Sequence, residues 1–126
     1  MIASSLTRPV SLSPKPTVAR RQVGRLLGDA GWPGDIDAVL LALHEALVNA
    51  QRHGGGVSRA SAALAGGTVV VAVRDPGRGF AVPTSPPVPD PAAETGRGLF
   101  LIRSLATEAD VTRSGDETCL QLRFNT

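Results

Sequence analysis

Glu45 and Asn49 lie four residues apart within His44-Glu45-Ala46-Leu47-Val48-Asn49-Ala50-Gln51-Arg52-His53-Gly54. On a helix this spacing stacks a carboxylate and a carboxamide on one face. A carboxylate beside a nucleotide phosphate can orient or deprotonate an attacking hydroxyl. A carboxamide oxygen is a hard ligand suited to Mg²⁺, which keeps its other positions for phosphate and water. Downstream, Asp75-Pro76-Gly77-Arg78-Gly79 ends a Val-rich run, and Gly96-Arg97-Gly98-Leu99 opens an apolar one. An Asp at a strand end can accept a hydrogen bond from an exocyclic amine such as that of adenine, and the glycines let the backbone approach a flat ring. Backbone amides at a helix start suit phosphate oxygens, and the Arg97 side chain can add a charge.

Each segment also has an ordinary reading. Glu45 and Asn49 suit a solvated helix face, Asp75-Pro76-Gly77 a turn closing a strand, and Gly96 to Leu99 a loop end before a core helix. Together, and in this order, they suggest an ATP site that is not a P-loop, because Gly-x-x-x-x-Gly-Lys-Ser/Thr is absent. There is no Gly-x-Ser-x-Gly elbow. His44 and His53 are not placed as a zinc pair with a third ligand nearby. His44 reads as a helix-surface or packing residue, and His53 as a support for the site or the end of a helix.

Periodicity supplies the elements that must position these residues. A first strand within residues 2–12 contains Pro9 and so belongs at a sheet edge. A helix over 17–30 has a stripe of Ala19, Val23, Leu26, Leu27 and Ala30, with Arg20, Arg21 and Arg25 facing outward and Gly31 as a left-handed cap. A second helix starts after the N-cap Asp35 and buries Ile36, Val39, Leu40, Leu43, Leu47 and Ala50, which leaves Glu45 and Asn49 off the stripe. Strands over 57–64 and 68–74 form a hairpin around Ala65-Gly66-Gly67. Residues 80–95 are Pro-rich and read as a surface loop. A short helix over 97–106 and strands over 109–113 and 118–124 complete the chain. One sheet with helices on one face is the economical α+β arrangement.

Composition bounds the function. The chain has 126 residues, 42% hydrophobic and 19% charged, which predicts one globular domain over 1–126. Aromatics are only 3%, so aliphatic side chains must fill the core. A net charge of +2 with no Lys/Arg block points away from nucleic acid. A single Cys, Cys119, excludes an internal disulfide and reads as a packing residue. No apolar run reaches membrane-spanning length and no signal peptide is apparent, so a cytoplasmic location is expected.

The three segments together resemble the N, G1 and G2 boxes of the GHKL ATPase superfamily, to which gyrases and histidine kinases belong. The N box corresponds to Glu45-Ala46-Leu47-Val48-Asn49 with His53-Gly54 after it, G1 to Asp75-x-Gly77-x-Gly79, and G2 to Gly96-x-Gly98-Leu99. Within the superfamily the chain is similar to the short anti-sigma factor serine/threonine kinases. The resemblance implies the Bergerat ATP-binding fold, a two-layer α/β sandwich whose mixed sheet of about five strands carries three main helices on one face. It implies ATP and Mg²⁺ as cofactors, Glu45 as general base and Asn49 as Mg²⁺ ligand. Nucleotide contacts are implied at Asn49, Arg52, His53, Asp75, Gly77, Gly79, Phe80, Gly96, Arg97, Gly98, Leu99 and Thr118, with residues 80–95 as a lid. The implied partners are a sigma factor and an anti-anti-sigma protein, with a homodimer as the assembly. Two alternatives share these motifs: a non-catalytic ATP/ADP-binding switch that controls a regulator by protein binding, and a stand-alone ATPase.

Overall fold

The computed structural model describes residues 8–77 and 95–126, the side chains of residues 95–98 excepted. The elements run β1 (Val10–Leu12), α1 (Pro16–Ala30), α2 (Ile36–His53), β2 (Arg59–Ala65), β3 (Thr68–Asp75), α3 (Thr95–Leu105), β4 (Glu108–Ser114) and β5 (Glu117–Phe124). No helix among the described residues is long and apolar enough to cross a membrane.

α1 begins with Pro16, whose fixed φ suits a first helical turn. Ala19, Val23 and Leu27, four apart, form its buried stripe. Ala30, expected on that stripe, is exposed, because the chain leaves the helix there. Gly31 takes φ 65°. Its N–H donates to Gly28 O at 3.1 Å and that of Trp32 to Leu27 O at 3.0 Å, which is the Schellman pattern. The buried contact at this corner comes instead from Trp32, 6% exposed, whose indole Nε1–H donates to Gly67 O at 2.8 Å. One side chain thus ties the α1–α2 corner to the β2–β3 turn.

α2 starts as its sequence predicts. The Asp35 carboxylate accepts from Ala38 N–H at 3.1 Å, and Asp37 lies in the first turn. The buried face is wider than the expected stripe: it includes Ala42, Ala46 and Asn49 beside Val39, Leu43, Leu47 and Ala50. The cause is that α2 packs against both other helices. Leu40 lies toward Gly24 of α1. Ala42 and Asn49 share the opposite flank, where α3 packs.

The sheet order is β1-β2-β3-β5-β4. Among the described residues every pairing is antiparallel, so the sheet expected to be mixed is antiparallel there. β3 and β4, joined through α3, run in the same direction, but β5 folds back between them and no parallel pair forms. β1 is an edge strand that starts just after Pro9, and residues 2–7 of the expected span lie outside the described residues. Burial alternates along β3, with Val69, Val71, Val73 and Asp75 facing the helices. Ala60, Ala62, Leu120, Leu122 and Phe124 share that face, and with the helix stripes and Ile102 of α3 they make one core. Cys119 is buried on β5, between Arg74 of β3 and Thr112 of β4.

Candidate functional site

The end of α2 meets the end of β3. Gly54 follows the last helical turn with φ −100°, a backbone any residue adopts. Its need for glycine is spatial: a Cβ there would lie 2.4 Å from Asp75 Cγ. A Cβ at Gly77 would lie 2.7 Å from Gly54 Cα and 2.8 Å from Asp75 Oδ1. Two glycine backbones therefore pack around one carboxylate. Asp75 is only 2% exposed, and its Oδ1 accepts the Gly77 N–H at 2.8 Å. A carboxylate has about four acceptor positions, so capacity remains for an exocyclic amine.

Asp75 has Thr118 as its ladder partner on β5, and Thr118 has Arg113 on β4. The Thr118 hydroxyl, fully buried, donates to Gly77 O at 3.0 Å. Arg113 reaches back from the rim, its Nη1 donating to the same carbonyl at 2.7 Å and to Thr118 Oγ1 at 3.2 Å. The Gly77 backbone is held at its N–H by β3 and at its C=O by β4 and β5.

Glu45 and Asn49 precede Gly54 on α2 by about 14 Å and 8 Å along the helix axis. Glu45 is half-buried and Asn49 only 7% exposed, so the solvated-face reading does not hold for Asn49. The buried polar residues among those described are Asn49, Asp75 and Thr118. All three had been singled out from sequence. Asn49 Nδ2 is buried without a hydrogen-bond partner, a state that costs about 1–3 kcal/mol. No cluster of three or more His, Cys, Asp or Glu able to hold a metal occurs among the described residues. A lone carboxamide fits Mg²⁺ bound mainly through phosphate and water, and not a metal that needs a protein cage.

α3 closes the other flank. Its C-terminal end lies beside β5, where Thr107 N–H donates to Arg123 O at 2.8 Å. The short connection to β4 reverses the chain, so the helix start points toward the end where β3 finishes. Gly96, Arg97, Gly98 and Leu99 fall in its first turn and a half, where the leading N–H groups have no intrahelical acceptors. Leu99 is half-buried against the core.

The remaining candidates are placed differently. Arg52 and His53 are exposed on the last turn of α2. Gly79, Phe80 and the rest of the span 80–95 expected as a lid, up to residue 94, lie outside the described residues, as do the side chains at positions 96–98. His44 is half-buried, and its Nδ1 is buried without a partner. Two contributors were missed. Arg113 read only as a strand end, and its reach to Gly77 follows from ladder register. Gly54 read as a helix end, and its contact with Asp75 joins segments 21 residues apart in the chain. The Gly54-Gly55-Gly56 run was the only local hint.

No curated protein matches this sequence. Among solved structures, the chain is similar to the crystal structure of the RsbU and RsbW domains of Rv1364c from Mycobacterium tuberculosis, with a TM-score of 0.63 and 23% identity. The match covers 94% of this chain and 31% of that one, so this chain spans about a third of its length. At that identity the likeness is one of fold. The sequence match is to the family described as the histidine kinase-like ATPase domain, and it extends over residues 13–124. That span holds both helices of the α1–α2 pair, the buried Asn49, Asp75 and Thr118 and the final hairpin, and the chain belongs to the histidine kinase-like ATPase domain family.

Proposed function

We propose that this chain is an ATP-binding regulatory domain that transfers the γ-phosphoryl group of Mg·ATP to a Ser or Thr of a protein partner. In this reading it works as anti-sigma factor kinases do, with a sigma factor held and an anti-anti-sigma protein phosphorylated. The observation that carries the nucleotide part is the burial of Asn49, Asp75 and Thr118 along one α2–β3–β5 seam, with the Asn49 amide left without a partner. The regulatory part draws on the fold likeness to a structure that contains an RsbW domain.

The base sits at the Asp75 end, its amine donating to the carboxylate. The phosphates run along α2 toward Asn49 and Glu45, and the first-turn amides of α3 receive phosphate oxygen. Mg²⁺, when bound, neutralises charge on the phosphates, and Asn49 supplies its carboxamide oxygen to it. Glu45 accepts the proton of the attacking hydroxyl.

Calorimetric titration of ATP and ADP, with and without Mg²⁺, tests the nucleotide part on the wild type and on Asn49→Ala and Asp75→Ala. Mg²⁺-dependent ATP binding weakened by both substitutions is expected. Folded wild type that binds neither nucleotide would end this reading. A second reading, a switch that binds nucleotide without transferring phosphate, is favoured by one feature: residues 80–95 contain no Lys or Arg to clamp a γ-phosphate. Labelled ATP incubated with candidate partners separates the two. Label on a partner Ser or Thr, lost by 10²-fold or more in Glu45→Ala, supports transfer.

A further inference from the structure

α1 packs on the flank of α2 that carries Leu40, away from the flank that carries Asn49. On its outer side Arg20, Arg21 and Arg25 are all exposed, and none has a hydrogen bond or an ion pair with a described residue. The stretch from Lys15 to Ala30 holds four basic residues and one acidic residue, while the whole chain carries +2. The acidic one, Asp29, stands a turn beyond Arg25 and forms no ion pair with it. Arg21 and Arg25 also stand one turn apart, and like charges at that spacing weaken a helix. Helix stability therefore does not account for them.

Beside this ridge lies an open groove between α1 and α2, about 510 Å³ in volume and lined by Thr17, Arg20, Arg21, Gly24, Arg25 and Leu40. Gly24 opens it. Glycine inside a helix is less stable there than alanine, yet packing does not require it: a Cβ would meet only Leu40 Cδ1 at 3.8 Å, an ordinary contact. The missing side chain leaves a short apolar floor beside three guanidinium groups. Planar guanidinium forks suit carboxylates, which they can grip with two parallel bonds. A nucleic-acid strand would bring charge, but the groove has no aromatic side chain on which its bases could stack. A membrane surface calls for large apolar side chains to insert. Among the described residues the exposed ones are Val10 and Leu41, and neither lines the groove.

We propose that this groove docks an acidic, extended segment of a protein partner, with carboxylates at alternate positions meeting Arg21 and Arg25 and an aliphatic side chain over Gly24 and Leu40. The spacing agrees. Four helical residues advance about 6 Å, and side chains on one face of an extended chain recur every ~6.6 Å. Two adjacent acidic residues would point to opposite sides of the segment and leave one arginine unmatched. The proposal goes beyond the nucleotide reading and does not rest on it.

The test is an NMR titration of the isotope-labelled chain with the peptide Thr-Leu-Thr-Glu-Thr-Glu-Thr-Leu-Thr, its Gln-for-Glu analogue and an isomer with the two Glu adjacent. The Glu peptide should shift the amides of Arg20 to Arg25 and of Leu40 saturably, and added salt should weaken it. The analogue should bind about fivefold more weakly, the loss expected of two exposed ion pairs, with the isomer in between. Arg21→Gln/Arg25→Gln should cost the same factor and Arg21→Lys/Arg25→Lys part of it. Gly24→Leu, which fills the floor and keeps every charge, should weaken the peptide too. Each variant is first checked for a cooperative thermal transition, and Gly24→Ala, whose methyl fits, should lower affinity by a smaller factor even where Gly24→Leu does not fold. Equal affinity for the Glu and Gln peptides would overturn the proposal, as would the absence of saturable shifts on α1 in folded wild type. So would displacement of the peptide by tripolyphosphate, or by vesicles of phosphatidylcholine and phosphatidylglycerol, as readily as by unlabelled peptide, since the ridge would then be a general anion surface.

Discussion

A methyl group at position 54 would lie 2.4 Å from Asp75 Cγ, so either the buried Asp75 carboxyl group or the end of α2 must shift. Gly54→Ala should push the α2 end away from β3, lower stability by about 1–3 kcal/mol as overpacking does, and weaken ADP binding at least tenfold. Chemical denaturation and ADP titration of the same preparation check both. Unchanged affinity would mean that the α2–β3 contact does not shape the base pocket. Asn49 makes the opposite argument. Its buried Nδ2 has no acceptor, so an apolar side chain of similar shape relieves a penalty instead of breaking a bond. Asn49→Leu should leave the unliganded midpoint unchanged or raised, while ATP binding loses its response to Mg²⁺. A residue that makes the free protein less stable yet is needed for binding is expected where a site is built for a ligand. A lowered midpoint together with intact Mg²⁺ dependence would make Asn49 an ordinary structural residue.

At the scale of the elements, the α1–α2 corner and the site lie at opposite ends of the sheet. Trp32 donates to Gly67 O at the β2–β3 turn, whereas Asp75 ends β3 eight residues into the strand. Trp32→Phe keeps an aromatic ring in the core but removes that bond. The Gly67 carbonyl can turn to water in an exposed turn, so the cost should be about 0.5–1.5 kcal/mol. Nucleotide affinity should not change. Measuring the urea midpoint beside ADP affinity tests the separation, and an affinity loss of tenfold would show the two ends to be coupled. The three helices do different work on the same sheet: α1 covers it, α2 carries the polar residues, and α3 buries the flank of α2 that a two-helix layer would have left wet.

For the whole molecule, a ligand that binds only the folded chain adds stability as RT ln(1 + [L]/Kd), about 2.7 kcal/mol at a hundredfold excess over Kd. Thermal midpoints should therefore climb with the logarithm of nucleotide concentration. The same series in Asp75→Asn should be nearly flat, because the Gly77 N–H holds the amide oxygen and the NH2 group then meets the amine of the base, donor against donor. A climb of equal slope in that variant would place the nucleotide elsewhere on the surface.

Periodicity, caps and turn residues were legible along the chain. Ala19, Val23 and Leu27 at spacings of four, Asp35 before Ala38, Gly31 after Ala30 and the alternation of β3 each depend on neighbours within a turn or two, so the sequence carries them locally. The Glu45–Asn49 pair and the two glycine segments were legible for the same reason. Tertiary structure decided what lies between such segments. Asn49 is buried because α3, some fifty residues later, packs on that flank. Gly54 must be glycine because Asp75 arrives against it. Arg113 reaches Gly77 because β5 folds between β3 and β4, which also leaves the described sheet antiparallel. Such contacts join residues remote in the chain, and local periodicity contains no term for them.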